Sequence, residues 1–539
     1  MTPSPAPAER SVLSGPTVRE AVIDLLRAFG MTSIFGNPGS TELPLFLNFP
    51  SDFRYVLGLQ ESVVVGMADG YAQATRNAAF VNLHSAAGVG HAMGNIFTAH
   101  KNRTPLVITA GQQARSILPF DPFLGSTQAA ELPKPYVKWS IEPARAEDVP
   151  LAIARAYYIA MSPPCGPVLV SIPSDDWKVR TQPVPARQVS RQIRPDPALL
   201  AQIGEALDRC ERPAFVIGAA VDRDDAWDEA VQLAERHRAR VWVAPMSGRG
   251  VFPEDHPLFA GFLPPMRERI VETLAGHDLV VAIGAPVFTY HVEGNGPHLP
   301  EGTALVQLIE DPHIAAWAPT GTSVVCSLRL GLLDLLARPA PPARALPPAR
   351  QAPPRAHAPE DGKRMPVAYV LQTLAELRDR ASILVEEAPS SRSVMHDYLP
   401  IHGPETFYTM CSGGLGHGMP AAVGVALAKP GERVIGLIGD GSAMYAIQAL
   451  WSAAQLALPM TFLILKNRRY AALQEFAPLF GYGADESVAG TELPDLDFVA
   501  LAAGQGVQAV RVAHAAQLRP ALEQALGSSA PVLVEIEIA

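Results

Sequence analysis

Asp440 and Asn467 carry the most chemistry per residue in this sequence. Asp440 stands in Ile438-Gly439-Asp440-Gly441-Ser442, and Asn467 follows 27 residues later in Lys466-Asn467-Arg468-Arg469-Tyr470. The apolar runs Val434–Ile438 and Met460–Leu465 read as short buried strands, with a helical pattern over Ala446–Leu456 between them. Strand, helix and strand in that space make a right-handed crossover between parallel neighbours. The acid and the amide then stand at the carboxyl ends of adjacent strands, where open α/β sheets bind ligands. A carboxylate, an amide oxygen and a backbone carbonyl are hard ligands that suit Mg²⁺, its shell completed by phosphate oxygens and water. Gly439 and Gly441 allow close approach of a diphosphate. A Gly-Asp-Gly alone is most often a plain turn. Its strand–helix–strand frame and the distant amide make it more specific.

The elements that position such a site need a large chain. At 539 residues there is too much sequence for one core, and about three domains are expected. A hydrophobic fraction of 48% and a charged fraction of 18% describe an ordinary folded protein. A net charge of −10 argues against nucleic acid as the main partner. An acidic protein that binds a diphosphate needs local counter-charge, which a metal supplies. Cys165, Cys210, Cys326 and Cys411 lack metal-ligand or disulfide spacing and fit reduced thiols in the cytoplasm. Met1–Arg10 lacks the apolar run of a signal peptide, and no apolar segment is long enough to span a membrane.

Three blocks alternate short apolar runs with helical patterns. Expected strands are Thr32–Phe35, Tyr55–Leu59, Ala79–Leu83, Leu106–Ala110 and Val168–Ile172 in the first, and Ala214–Ile217, Val241–Ala244, Leu279–Ile283 and Ala304–Leu308 in the second. The third block holds the Asp440 motif. The expected class is α/β, with three doubly wound parallel-sheet domains. Their expected limits are 12–180, 196–337 and 365–539, with a proline-rich linker over 338–364 that lies extended on the surface.

In the first block, Ser40 reads as an N-cap that also offers a hydroxyl and backbone N–H groups to a carboxylate. Glu61 opens a helix over Val63–Thr75, where the helix dipole favours an acid. His84 ends a strand, a position more often structural than catalytic. Together, Phe35-Gly36-Asn37-Pro38-Gly39-Ser40, Leu59-Gln60-Glu61, Ala68–Ala72, Asn82–Gly88, Thr109–Gln113, Val137–Ser140, Trp242–Pro245, Gly284–His291, Gly413–Gly416 and Ser442–Tyr445 resemble the benzoylformate decarboxylases, within the thiamine diphosphate-dependent 2-keto acid decarboxylases. The likeness covers nearly the whole chain outside the ends and linkers.

The resemblance implies a role for each residue. Glu61 matches the carboxylate that hydrogen-bonds the aminopyrimidine ring of thiamine diphosphate. Leu415 matches the apolar wedge that bends the cofactor, and the Gly413 carbonyl matches the acceptor for its amino group. Gly439, Asp440, Gly441, Ser442, Asn467 and Tyr470 match the diphosphate site, with Mg²⁺ on Asp440, Asn467 and the Arg469 carbonyl. Ser40 holds the 2-keto acid's carboxylate, His84 serves the developing oxyanion, and His291 protonates the carbanion left by loss of CO₂. Ser40, Phe123, Leu124, Thr409, Leu473 and Phe476 line the substrate pocket; for the apolar members ordinary core packing is an equal expectation. A homotetramer built as a dimer of dimers, a place in the mandelate pathway and no bound FAD are implied too. Lys466, Pro389, Thr409 and Glu475 depart from the family pattern, so a roomier or more polar pocket is expected. The alternatives are an acetolactate synthase-like or other carboligase, which shares the cofactor residues, and a non-catalytic paralogue.

Overall fold

A computed structural model describes residues 15–483 and 486–539. Met1–Arg10 and positions 12–14 of the expected first domain lie outside the described residues. The chain divides into two compact bodies. The first contains residues up to Ala68, Asn77–His100 and Thr104–Val189; the second contains Asp69–Arg76, Lys101–Arg103 and Ser190–Ala539.

The first body holds a six-stranded parallel sheet of β1 (Ser33–Gly36), β2 (Arg54–Leu57), β3 (Ala79–Leu83), β4 (Leu106–Gln112), β5 (Ser140–Ile141) and β6 (Val168–Pro173), in the order β2-β1-β3-β4-β6-β5. Every residue of β3, β4 and β6 is buried, as a parallel sheet covered on both faces requires. A capping box of Thr17 and Glu20 starts the helix Val18–Ala28, whose Val22, Leu25 and Leu26 pack into the same core as Ile34, Phe80 and Val107.

The second body holds two more such sheets. One is β7 (Pro213–Ile217), β8 (Arg240–Val243), β9 (Phe259–Phe262), β10 (Leu279–Ile283), β11 (Ala304–Ile309) and β12 (Thr322–Val325), ordered β12-β11-β10-β7-β8-β9. The other is β13 (Ile383–Glu387), β14 (Phe407–Thr409), β15 (Val434–Gly439), β16 (Met460–Lys466), β17 (Gln508–Val512) and β18 (Val532–Glu537), ordered β14-β13-β15-β16-β18-β17. The α/β class and the three parallel sheets agree with expectation. Residues 341–360 carry no helix or strand; Arg344 donates to the carbonyls of Cys210 and His237 along this stretch.

The winding reverses inside each sheet between β1 and β3, between β7 and β10, and between β13 and β15. There the loops leaving the carboxyl ends part in opposite directions and leave a crevice. Asn37–Glu42 and His84 follow β1 and β3. Gly284–His291 follows β10. Ala388–Arg392 and Asp440 follow β13 and β15.

Two expected details differ. The chain turns helical at Asp440 itself (Asp440–Tyr445) and again over Ala449–Gln455, replacing the single helix expected over Ala446–Leu456. Ser40 caps no helix: the next one, Leu43–Phe46, is four residues long with Glu42 at its N-cap position, and Ser40 is exposed in the turn before it. Pro38, Gly39 and Pro44 around this segment favour tight turns over a longer helix.

The second body also contains a fully buried ion pair that the sequence did not signal. His417 Nε2 contacts Asp69 Oδ2, both side chains being 0% exposed, and Asn102 Nδ2 donates to the same oxygen at 2.9 Å. Burial pushes the His417 pKa down, but the charge and hydrogen bond of Asp69 outweigh it and the net shift is upward. Asp69→Ala leaves that imidazole without its counter-charge, a loss of about 3–5 kcal/mol for a broken buried pair. The unfolding midpoint is expected to fall accordingly. A raised imidazole pKa adds stability that is complete below the unfolded value, near pH 6.5, and is lost as pH rises through the folded one. Thermal unfolding of the unsubstituted protein should therefore lose stability above neutral pH, and Asp69→Ala should remove that part of the slope.

Candidate active site

The first body supplies a carboxylate-rich crevice. Glu61 is the first residue of the helix Glu61–Thr75 and is 9% exposed; its Oε2 lies 3.1 Å from His91 Nδ1. Gly88 lies against this carboxylate, and a Cβ there would stand 3.4 Å from Oε1. His84 is held from behind: its Nδ1 lies 2.8 Å from Glu42 Oε2 and 3.2 Å from Thr41 Oγ1. Glu42, with a 0% exposed side chain, also accepts the Gly39 N–H at 2.8 Å and the Thr41 hydroxyl at 2.6 Å. A carboxylate is an acceptor only, so His84 donates through Nδ1 and keeps Nε2 for another partner. Glycines make the room: a Cβ at Gly39 would overlap the His84 ring, and one at Gly111 the Glu42 carboxylate. Burial and the Glu42 charge both push the nearby Tyr55 hydroxyl pKa up.

Glu42 and His91 were not singled out from the sequence. Glu42 sits inside the Phe35–Glu42 motif, but only the fold turns its side chain back beneath His84. Phe123 and Leu124 lie on the loop after β4; Phe123 is 87% exposed and its carbonyl accepts from Gln113 at 2.8 Å.

The second body holds the Asp440 and Asn467 motif. The β15–β16 register pairs Gly439 with Leu465, which brings Asp440 and Asn467 to neighbouring strand ends as expected. Asp440 is 4% exposed; Oδ2 accepts the Arg468 N–H at 2.6 Å and Oδ1 the Gly441 N–H at 2.9 Å. Burial raises its pKa, with the backbone donors opposing. Asn467 Oδ1 accepts the Arg469 N–H at 3.0 Å. The strap continues with the Leu493 N–H on the Arg468 carbonyl at 2.8 Å and the Tyr470 N–H on the Thr491 carbonyl at 2.7 Å. The Tyr470 ring covers Gly441, where a Cβ would overlap it, and Ser442 is buried. Lys466, 5% exposed, turns into the sheet, its Nζ 2.8 Å from Glu535 Oε1 and 2.6 Å from the Leu496 carbonyl. That pairing is the physical content of its departure from the family amide.

Between the Gly413 turn and the third sheet lies Glu387, which the sequence reading missed. It is 1% exposed and accepts the N–H groups of Gly416 (2.6 Å), His417 (2.8 Å) and Gly418. Burial raises its pKa against the pull of those donors. It fixes the loop that carries half-buried Leu415, with Gly413 at φ +74° beyond the reach of most side chains.

His291 is exposed, and its ring stands 4.6 Å from that of Phe476. Leu473 is 55% exposed on the same helix, Ala471–Phe476, which Ser390 Oγ ties to the loop after β13 by accepting the Ala472 N–H at 3.1 Å. Thr409 needs correction as a wall residue: it is 2% exposed, its hydroxyl donating to Glu386 at 2.8 Å and accepting from Arg392 at 2.8 Å. The Arg392 guanidinium covers it, neutralised by Glu386 at 2.7 Å.

Segments of both bodies match known proteins. Residues 16–131, 200–335 and 389–536 fit, in order, the N-terminal TPP binding domain, the central domain and the C-terminal TPP binding domain of thiamine pyrophosphate enzymes. A benzoylformate decarboxylase of Pseudomonas aeruginosa is 47% identical over 96% of this chain and 98% of its own length. This chain belongs to the benzoylformate decarboxylase family of thiamine diphosphate enzymes. A solved structure, that of a thiamine diphosphate-dependent 4-hydroxybenzoylformate decarboxylase of Rhodococcus jostii, superposes with a TM-score of 0.93 at 42% identity, over 97% of this chain and 99% of that one. A probable acetolactate synthase large subunit of Methanocaldococcus jannaschii is more distant, at 27% identity over 96% of this chain and 91% of its own length.

The residues present fit the family's cofactor. Glu61 offers a buried carboxylate packed against Gly88. Asp440, Asn467 and the Arg469 carbonyl form an all-oxygen donor set of the kind Mg²⁺ takes with a diphosphate. Among the described residues no cluster of three or more His, Cys, Asp or Glu side chains could hold a metal by itself.

Proposed function

We propose that this chain catalyses the non-oxidative decarboxylation of an aryl 2-keto acid of the benzoylformate type to its aldehyde and CO₂, using thiamine diphosphate and Mg²⁺. The observation that carries the reading is the buried Glu61 carboxylate at a helix start, on the same crevice-lined sheet as a His84 already oriented by Glu42. The cofactor, when bound, supplies a nucleophilic carbanion and an electron sink. Glu61 holds or yields the proton on the aminopyrimidine side. The Ser40 hydroxyl and adjacent N–H groups orient the substrate carboxylate. His84 presents Nε2 to the developing oxyanion, and His291 returns a proton before the aldehyde leaves. Phe476, Leu473, Phe123 and Leu124 line the aryl pocket, with Arg392 in place of Thr409 as its polar face.

Further parts of the reading rest on the family pattern. The segments 12–180, 196–337 and 365–539 act as three domains around the 338–364 linker. The working unit is a homotetramer, and Phe120 and Phe123, 78% and 87% exposed in one chain, are side chains that an interface would cover. The enzyme acts in the cytoplasm in a mandelate-type pathway, with carboligation as a side reaction. Among the described residues no helix is long and apolar enough to cross a membrane.

Incubation with benzoylformate, Mg²⁺ and thiamine diphosphate is expected to release equal amounts of benzaldehyde and CO₂. Benzoylformate and ring-substituted analogues should exceed pyruvate in kcat/KM by about tenfold or more, the scale on which pocket fit discriminates. Acetolactate from pyruvate as the dominant product would instead favour the carboligase alternative.

A further inference from the structure

We propose that Glu537 is a positioning residue for the diphosphate and metal strap, acting through an ionic clamp on Arg468. The proposal rests on the reading of Asp440 and Asn467 as metal ligands. Arg468 lies between those ligands and the Arg469 carbonyl. Its backbone is left-handed (φ +64°), and its N–H reaches Asp440 Oδ2 at 2.6 Å. Its carbonyl accepts the Leu493 N–H at 2.8 Å beside the antiparallel bridge of Arg469 with Glu492. Its side chain adds an ionic anchor to that backbone: Nη2 contacts both carboxylate oxygens of Glu537 at 2.9 Å. Glu537 is 8% exposed and ends β18, directly opposite Lys466 in the parallel register.

Lys466 explains why the clamp is needed. Where the family carries an amide beside the metal ligand, this chain carries an ammonium committed to Glu535, which is itself 0% exposed and also bound by Arg511 at 2.8 Å. Lys466 turns into the sheet, with its Nζ 3.8 Å from Glu537 Oε1 as well, and the closer Arg468–Glu537 pair supplies the outer anchoring of the strap. Because the Arg468 side chain is 45% exposed, the pair adds little to global stability and is open to screening by salt. Its effect falls on where Asn467 and the Arg469 carbonyl stand, and so on metal and cofactor retention more than on turnover.

The test is calorimetric titration of Mg²⁺, with thiamine diphosphate present, into the full-length protein and its Glu537→Gln and Arg468→Met variants. Each single variant is expected to bind about 10-fold more weakly, the low end of the range seen when a contact supporting a metal ligand is removed. The double variant should be no weaker than either single. At saturating cofactor, kcat should stay within about twofold, and the unfolding midpoint of the cofactor-free protein should not move. Potassium chloride should weaken binding by the unsubstituted protein more steeply than by Glu537→Gln. Unchanged affinity in Glu537→Gln, or a fall in kcat with affinity intact, overturns the clamp alone. Failure of the unsubstituted protein to bind the metal with its cofactor overturns the ligand assignment and the clamp with it.

Discussion

Glu61→Gln is expected to lower the rate of CO₂ release from benzoylformate by about 10²–10⁴-fold, the range over which a positioned acid or base contributes. Glutamine keeps the size of the side chain and can still pair with His91, which lies 3.1 Å from Oε2. It keeps the contact with Gly88 as well. What it loses is the negative charge and the ability to take and give a proton. At a residue 9% exposed, water cannot replace either efficiently. The loss should appear in kcat with saturating thiamine diphosphate, while the far-ultraviolet circular dichroism and the affinity for Mg²⁺ with cofactor stay close to those of the unsubstituted protein. Activity within tenfold of normal would remove Glu61 from the chemistry and leave it the structural first-turn acid that its helix position also allows.

How much of this was legible in the sequence depends on the kind of residue. The buried strands were readable because parallel strands covered on both faces are continuous apolar runs: Ala79–Leu83 and Leu279–Ile283 are found where they were expected. Among the edge strands β2 was readable, expected over Tyr55–Leu59 and found at Arg54–Leu57, and the others were not. Thr322–Val325 and Gln508–Val512 are partly exposed, so their polar residues break the run, and Ser140–Ile141 is too short to register. Asp440 and Asn467 could be paired because the crossover fixes their register. Glu42, Glu387 and Arg392 could not, because their partners His84, Gly416–Gly418 and Thr409 lie on other segments that only the fold brings near. Glu387 satisfies the turn from Gly416 to Gly418 from about thirty residues upstream, and no local pattern encodes that. Thr409 is expected as a pocket wall from the resemblance alone, and the arginine that covers it comes from the loop after the neighbouring strand. Ser40 erred in the opposite direction: residue type suggested a cap, and the proline-flanked turn left no full helix to cap.

The second large effect is expected at Asp440, in binding and not in turnover. Asp440→Asn preserves shape and one acceptor, yet both carboxylate oxygens are already committed, Oδ2 to the Arg468 N–H and Oδ1 to the Gly441 N–H. An amide must point its NH₂ at one of these donors, so one buried N–H loses its acceptor and the strap moves. The unmade hydrogen bond alone costs about 1–3 kcal/mol. Removing the anion from a divalent ion's shell adds to that, and the affinity for Mg²⁺ with thiamine diphosphate should fall by about 100-fold or more. Calorimetry reads this directly, and excess cofactor should restore part of the activity, which it cannot do for Glu61→Gln. The unsubstituted protein offers a second check. Burial raises the Asp440 pKa, so protons compete with the metal at higher pH than at an ordinary aspartate. Metal affinity should therefore weaken as pH falls through that raised value. An affinity that stays flat down to the usual aspartate range, together with tight binding by Asp440→Asn, would place the metal elsewhere.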